Sequence, residues 1–144
     1  LITEPTLNLA FFDTRSLDQF TTAAPEVDRW FVGGHSLGGV RACLMTPGSD
    51  AAGLVLFGSY CANDLSSSGL EVLSIAGEND RLSTPAIIEQ NAGMLPTDAR
   101  FVTIAGANHA SFGDYGAQAG DGERTISSEQ MRAELTALLG EALG

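Results

Sequence analysis

Lysine is absent from this 144-residue chain: its seven basic residues are all arginine, against eighteen acidic ones, for a net charge of −11. A field of that sign disfavours nucleic acid and anionic membranes as partners and favours solubility. The arginine-only usage fits a GC-rich coding bias, with an acidic, halophile-like surface as the second reading. No apolar stretch approaches the ~20 residues of a membrane span, and no signal peptide is visible at the start. Repeats, low-complexity tracts and internal linkers are missing as well. Cysteine is limited to Cys43 and Cys61. Neither has metal-ligand spacing with another cysteine or a histidine, which argues against zinc. Two buried thiols are the expectation. A disulfide stays open, because it requires a Cα separation that sequence does not reveal. At 44% hydrophobic residues the chain is globular and not disordered, and its length suits one domain.

What is present is dominated by Gly33-Gly34-His35-Ser36-Leu37-Gly38-Gly39, directly after the apolar run Trp30-Phe31-Val32. It contains Gly-x-Ser-x-Gly at positions 34–38. A strand that turns sharply into a helix strains its turn residue. It also needs small neighbours two positions away on each side, where a side chain would strike backbone. The pattern alone recurs by chance in Gly-rich chains. Here the strand precedes it, and the small-residue helix Gly38-Gly39-Val40-Arg41-Ala42-Cys43-Leu44 follows. That context identifies a nucleophile elbow, with Ser36 as nucleophile and the Leu37 N–H as one oxyanion donor.

A serine hydroxyl needs a base, and only two histidines exist. His35 adjoins the serine and is expected to pack beneath the elbow. His109 follows the run Phe101-Val102-Thr103-Ile104, on a loop beyond a strand end, where a base belongs. An acid should lie between serine and histidine in chain order and orient the imidazole. In Glu71-Val72-Leu73-Ser74-Ile75-Ala76-Gly77-Glu78-Asn79-Asp80 a strand runs into a Gly turn. Asp80 is the chosen acid, Glu78 on the same turn its rival, and Asp64 a distant third.

Short apolar runs alternate with helical segments, the pattern of a parallel sheet flanked by helices. Strands are expected at residues 30–33, 53–57, 71–76 and 100–104, each a near-continuous apolar run as in a sheet covered on both faces. Ser16-Leu17-Asp18-Gln19 reads as a capping box opening a short helix that ends near Pro25. Thr84 caps a helix with Pro85 at its first position, running to about Ala92. A last helix starts at Ser127 or Ser128 and buries Met131, Leu135, Leu138, Leu139 and Ala142. The polar, Gly-rich loop 113–124 follows His109. Asp114 and Tyr115 would tie it to the body, or it is a plain surface loop. Asp114 and Asp121 alone fall short of the ~6–8 oxygen ligands calcium wants. Tyr60, in Ser59-Tyr60-Cys61-Ala62-Asn63, is the candidate substrate contact, with simple packing as its alternative.

The elbow, the acid turn Gly77-Glu78-Asn79-Asp80 and the segment Asn108-His109-Ala110-Ser111-Phe112-Gly113-Asp114-Tyr115-Gly116 together resemble the bacterial alpha/beta hydrolase family 5 group, related to dienelactone hydrolases. The stretches Leu7-Asn8-Leu9-Ala10-Phe11 and Gln118-Ala119-Gly120-Asp121-Gly122 are similar to this group too. The resemblance implies an α/β-hydrolase fold, a Ser36–Asp80–His109 triad and carboxylic-ester hydrolysis. Members of the group carry roughly a further half-domain ahead of the segment that begins here. It would hold two or more strands, a helix and the loop with the second oxyanion donor, whose loss costs about 3–4 kcal/mol. Residues 1–144 therefore read as the C-terminal portion of one domain, without the N-terminal strands.

The expected function is a serine esterase acting on small-molecule esters through an acyl-enzyme, with no cofactor and no metal. Thioesterase, amidase or lactonase chemistry on the same triad is the alternative, although the lactone-cleaving relatives normally use cysteine. A non-catalytic ligand- or partner-binding member is the other. The strand before the elbow would lack a neighbour, so the missing half or a second copy is expected to pair with it. The domain is expected to be soluble, with compartment, export and anchoring left open.

Overall fold

Four runs rich in Val, Leu, Ile and Phe form strands; the two inner ones are covered on both faces, whereas the two outer ones are only partly buried, with Phe101 43% exposed. They are β1 (Trp30–His35), β2 (Ala51–Phe57), β3 (Glu71–Gly77) and β4 (Arg100–Ile104). The computed structural model describes residues 10–144, so the readings on Leu7, Asn8 and Leu9 lie outside the described residues. The strands pair in parallel in chain order, β1-β2-β3-β4. The register sets Gly33 against Val55, and Val55 against Leu73.

Alternation along the strands divides the core in two. Leu54, Leu56 and Val72 face one side, with Ala42 and Cys43 from helix α2 (Leu37–Met45) and Leu65, Leu70 and Leu95 from loops. Val55, Leu73, Ile75 and Ile104 face the other, against Met131 and Leu138 of helix α4 (Ser128–Leu143). Ser127 opens α4 with a reciprocal box. Its Oγ accepts the Gln130 N–H at 3.1 Å, and Gln130 Oε1 accepts the Ser127 N–H at 3.1 Å. Helix α3 (Pro85–Gln90) has Thr84 as N-cap, its hydroxyl accepting the Ile87 N–H at 3.2 Å. It stops at Gln90, and the chain continues as a 3-10 turn over Ala92–Met94.

Two expectations are corrected. The Ser16 capping box does not form. Helix α1 is a single turn, Asp18–Thr21, preceded by Leu17 in helical geometry with no side-chain cap bond. Isolated short helices are marginal, and burial of Leu17, not capping, holds this one. Cys43 and Cys61 are not free thiols but a disulfide, with Cα atoms 5.6 Å apart and both residues wholly buried. The reason is topological. Because β1 and β2 are neighbours, the helix leaving β1 and the loop leaving β2 are brought side by side at one end of the sheet. Asn63 on that loop reinforces the tie, donating to the Cys43 carbonyl at 3.1 Å.

Among the described residues strand β1 pairs only with β2. Beside it runs a groove of about 460 Å³ whose lining includes Leu17, Phe20, Trp30, Val32, Ala42 and Met45. Among the described residues no helix is long and apolar enough to cross a membrane.

Candidate active site

Ser36 closes β1 and opens α2, and among the described residues it is the one non-glycine at positive φ (φ 53°, ψ −123°). Such a conformation costs of the order of 1–3 kcal/mol and persists only where the surroundings enforce it. The surroundings are visible. The Ser36 N–H donates to the Phe57 carbonyl at 3.1 Å, and Ser59 Oγ donates to the Ser36 carbonyl at 2.7 Å. Both backbone groups are therefore held by the end of β2, and the side chain is left over. A Cβ on Gly34 would collide with the Gly38 carbonyl, which is why the position two before the serine carries no side chain. Leu37 begins α2, where the first N–H groups have no intrahelical partner. Its side chain is 59% exposed.

His109 lies in a 3-10 turn, His109–Phe112, beyond β4. Its Nδ1 is 2.7 Å from Asp80 Oδ2, and both side chains are essentially removed from solvent. The other Asp80 oxygen accepts the N–H groups of Leu82 (2.8 Å) and Ser83 (2.7 Å), so the carboxylate cannot rotate away. The rival Glu78 turns elsewhere, accepting the Gly106 N–H at 2.8 Å. Asp64 is exposed on the loop after β2 and accepts the Ser66 N–H. Gly58, at φ 50°, passes directly under the Asp–His pair. A Cβ there would stand 3.0 Å from Asp80 Oδ2 and 3.3 Å from His109 Nδ1.

The His35 ring lies among those of His109, Phe112 and Tyr115. Its centroid is 4.4 Å from that of His109, and the Tyr115 hydroxyl meets its Nδ1 at 3.0 Å. Tyr115 thus ties the loop after His109 to the residue before Ser36. Burial pushes the His35 imidazole down to about 4, with the neighbouring His109 acting in the same direction and Asp80 against it. The sign for stability follows. Between pH ~6.5 and ~4 the unfolded chain takes up a proton at this position that the folded chain refuses. Stability is therefore expected to fall across that window. Thermal melts of wild type and His35→Asn at pH 7 and pH 4.5 check this. The variant should lose less on acidification, and parallel losses would overturn it.

Tyr60 is half-buried on the loop after β2, between Ser59, which holds the Ser36 carbonyl, and disulfide-bonded Cys61. Asp114 is exposed, and the two oxygens of Asp121 are taken up by backbone N–H donors of His109 (3.0 Å), Ala110 (2.9 Å) and Gly122 (2.7 Å). Sequence reasoning passed over Gly58, named Ser59 only within the segment that carries Tyr60, and gave Asp121 no role beyond a weak cation ligand in a family-like stretch. The available signal was Phe57-Gly58-Ser59, a glycine at the mouth of a strand adjoining the elbow strand. Asn108 was overlooked too. Its Nδ2 donates to the Gly122 carbonyl at 2.8 Å, and its Oδ1 accepts from Ser111 Oγ at 2.7 Å.

Comparison with known proteins places this fold. The chain resembles an alpha-beta serine hydrolase homologue from Coxiella burnetii, at 12% identity and a TM-score of 0.61, covering 90% of this chain and 56% of that one. It resembles an alpha/beta hydrolase enzyme from a lagoon-sediment metagenome of Mar Chica, Morocco, at 20% identity and a TM-score of 0.61, covering 87% and 67%. A protein of unknown function from Agrobacterium tumefaciens matches at 16% identity and a TM-score of 0.67, covering 99% and 63%. The chain thus spans 56% to 67% of the length of these structures, and at such identities they speak for the fold. No curated protein matches. The alpha/beta hydrolase family model matches residues 1–133. This parallel sheet, with its Gly-x-Ser-x-Gly turn, belongs to a chain of the alpha/beta hydrolase family.

Proposed function

We propose that this protein hydrolyses carboxylic esters of small molecules, with Ser36, His109 and Asp80 as its triad. The observation that carries the reading is the buried 2.7 Å contact between His109 and Asp80, at the same end of the sheet as the strained Ser36. Ser36 Oγ attacks the ester carbonyl carbon while His109 Nε2 takes its proton. Asp80 holds the Nδ1–H and stabilises the imidazolium. The Leu37 N–H faces the developing oxyanion. Collapse breaks the bond to the alkoxy oxygen, which leaves with the proton from His109. Water then attacks the acyl carbon, passing its proton to His109, and Ser36 departs with that proton restored. Tyr60 is the proposed contact to the acyl or alcohol group. These steps call on no cofactor or metal.

Intact mass with and without a fluorophosphonate probe tests this. One adduct on Ser36 is expected, and an unlabelled chain would count against the hydrolase reading. A panel of p-nitrophenyl esters, thioesters and anilides then separates ester chemistry from its rivals on the same residues.

The outer edge of β1 enters the same reading. Among the described residues no strand pairs with that edge, and an edge strand beside an apolar groove is a template for another strand. We propose that the 144-residue chain pairs there with the remaining strands of a longer protein or with a second copy of itself. Light scattering on the isolated chain is expected to report dimers or aggregates, and a stable monodisperse monomer would overturn the proposal.

A further inference from the structure

Twelve residues past His109, on a loop without regular structure, Asp121 turns its carboxylate back onto the histidine's own backbone. Oδ1 accepts the His109 N–H at 3.0 Å and Oδ2 accepts the Ala110 N–H at 2.9 Å. Oδ1 also accepts the Gly122 N–H at 2.7 Å, which fixes the carboxylate against its own chain. The turn it grips begins at His109, and the first N–H groups of a helical turn have no partner of their own. A carboxylate satisfies two of them at once, and charge-assisted bonds of this kind are the strong ones. Burial works to raise the Asp121 pKa, but the N–H donors led by Ala110 and His109 outweigh it and hold the carboxyl below the usual range. A second bond runs in parallel, from Asn108 Nδ2 to the Gly122 carbonyl at 2.8 Å. The backbone at His109 and Ala110 is thus tied to Asp121, and the side chain of Asn108 to Gly122.

We infer that Asp121 is a positioning residue for the catalytic histidine: its carboxylate holds the His109 backbone so that the ring keeps its Nδ1 contact with Asp80. The inference rests on the triad reading above and adds to it a residue that touches no reacting atom. The residue acts through geometry, so its removal should lower turnover more than substrate binding.

The test uses Asp121→Ala, Asp121→Asn and, as a control on the same loop, the exposed Asp114→Ala. Hydrolysis of p-nitrophenyl butyrate gives kcat and KM. The downfield proton resonance of the His109 Nδ1–H, identified by its loss in Asp80→Asn, reports the Asp–His contact without any turnover. Asp121→Ala is expected to lower kcat roughly 10²-fold with little change in KM, and to broaden or shift the resonance. Asp121→Asn keeps one acceptor oxygen for His109 but sets an amide against the Ala110 N–H, so it should fall between Asp121→Ala and wild type. The inference is overturned if Asp121→Ala matches Asp114→Ala in kcat and keeps the resonance in place. It is equally overturned if the loss of kcat equals the unfolded fraction measured at the assay temperature. Wild-type protein that takes no fluorophosphonate adduct would sink the hydrolase reading instead, and the resonance would still decide whether Asp121 holds the histidine.

Discussion

Ser36→Ala is expected to abolish fluorophosphonate labelling and to lower kcat on p-nitrophenyl butyrate by roughly 10⁴–10⁶-fold relative to the same chain unaltered. The size follows from the chemistry: without Oγ no acyl-enzyme forms, and only the oxyanion donor and bound geometry still favour hydrolysis. Asp80→Asn should cost roughly 10⁴-fold by a different route. Asp80 Oδ1 is engaged by the Leu82 and Ser83 N–H groups, so an Asn oxygen would stay there and its amide would face His109 Nδ1. That forces the Nδ1 to accept, places the ring proton on Nε2 and leaves no lone pair for the Ser36 proton. Glu78→Gln supplies the contrast. Its carboxylate serves the Gly106 N–H and makes no contact with His109, so kcat should stay near wild type. Equal losses in Asp80→Asn and Glu78→Gln would contradict the assignment of the acid, and a Ser36→Ala protein that still labels would remove the nucleophile.

Loss of the Cys43–Cys61 bond is the second large effect. The bridge closes a loop with a sequence separation of 18 residues, worth about 3 kcal/mol by loop-closure entropy. For a chain of this size the double Cys→Ala variant should melt roughly 10 °C lower. Both sulfurs lie in the apolar core, so the substitution also leaves a small void. The consequence should reach the site, because α2 begins at the elbow and the bridged loop begins at Gly58 and Ser59. Ser59 carries the hydrogen bond to the Ser36 carbonyl, and Gly58 underlies the Asp80–His109 pair. Calorimetry on wild type and variant measures the stability term. Alkylation of unfolded, unreduced protein followed by intact mass checks the bond itself. Two alkylated cysteines in wild type would contradict it, and so would identical melting of the two proteins.

Much of this protein is determined by local sequence. Strands follow from near-continuous apolar runs, since an all-apolar segment such as Leu54-Val55-Leu56 can be stable only where cover lies on both faces. Caps at Thr84 and Ser127 are local chemistry between residues three apart; the first is expected from sequence, and the second falls at one of the two expected starts of the last helix. The elbow is legible because its strain is local too. A Cβ on Gly34 would strike the Gly38 carbonyl across a single turn, so no side chain fits at 34, whereas a Cβ on Gly38 would meet nothing, contrary to the expectation for that position. Capping at Ser16 failed for the opposite reason: a one-turn helix owes its place to the burial of Leu17 against distant residues, which overrides a local signal.

Contacts between segments far apart in the chain were decided by the tertiary structure. Cys43 meets Cys61, and Ser59 meets Ser36, because the parallel sheet sets the ends of β1 and β2 side by side. That Asp80 and not Glu78 contacts His109 depends on which way each carboxylate leaves one tight turn, and the two backbone N–H groups of Leu82 and Ser83 fix that direction for Asp80. Asp121 and Tyr115 reach His109 and His35 from a loop with no periodicity to read. Sequence by itself names the candidate site residues and their order, since those rest on short-range sterics and chemistry. Which side chains share a site is set by the packing of the sheet, because only packing converts separations of 12 to 80 residues into distances of about 3 Å.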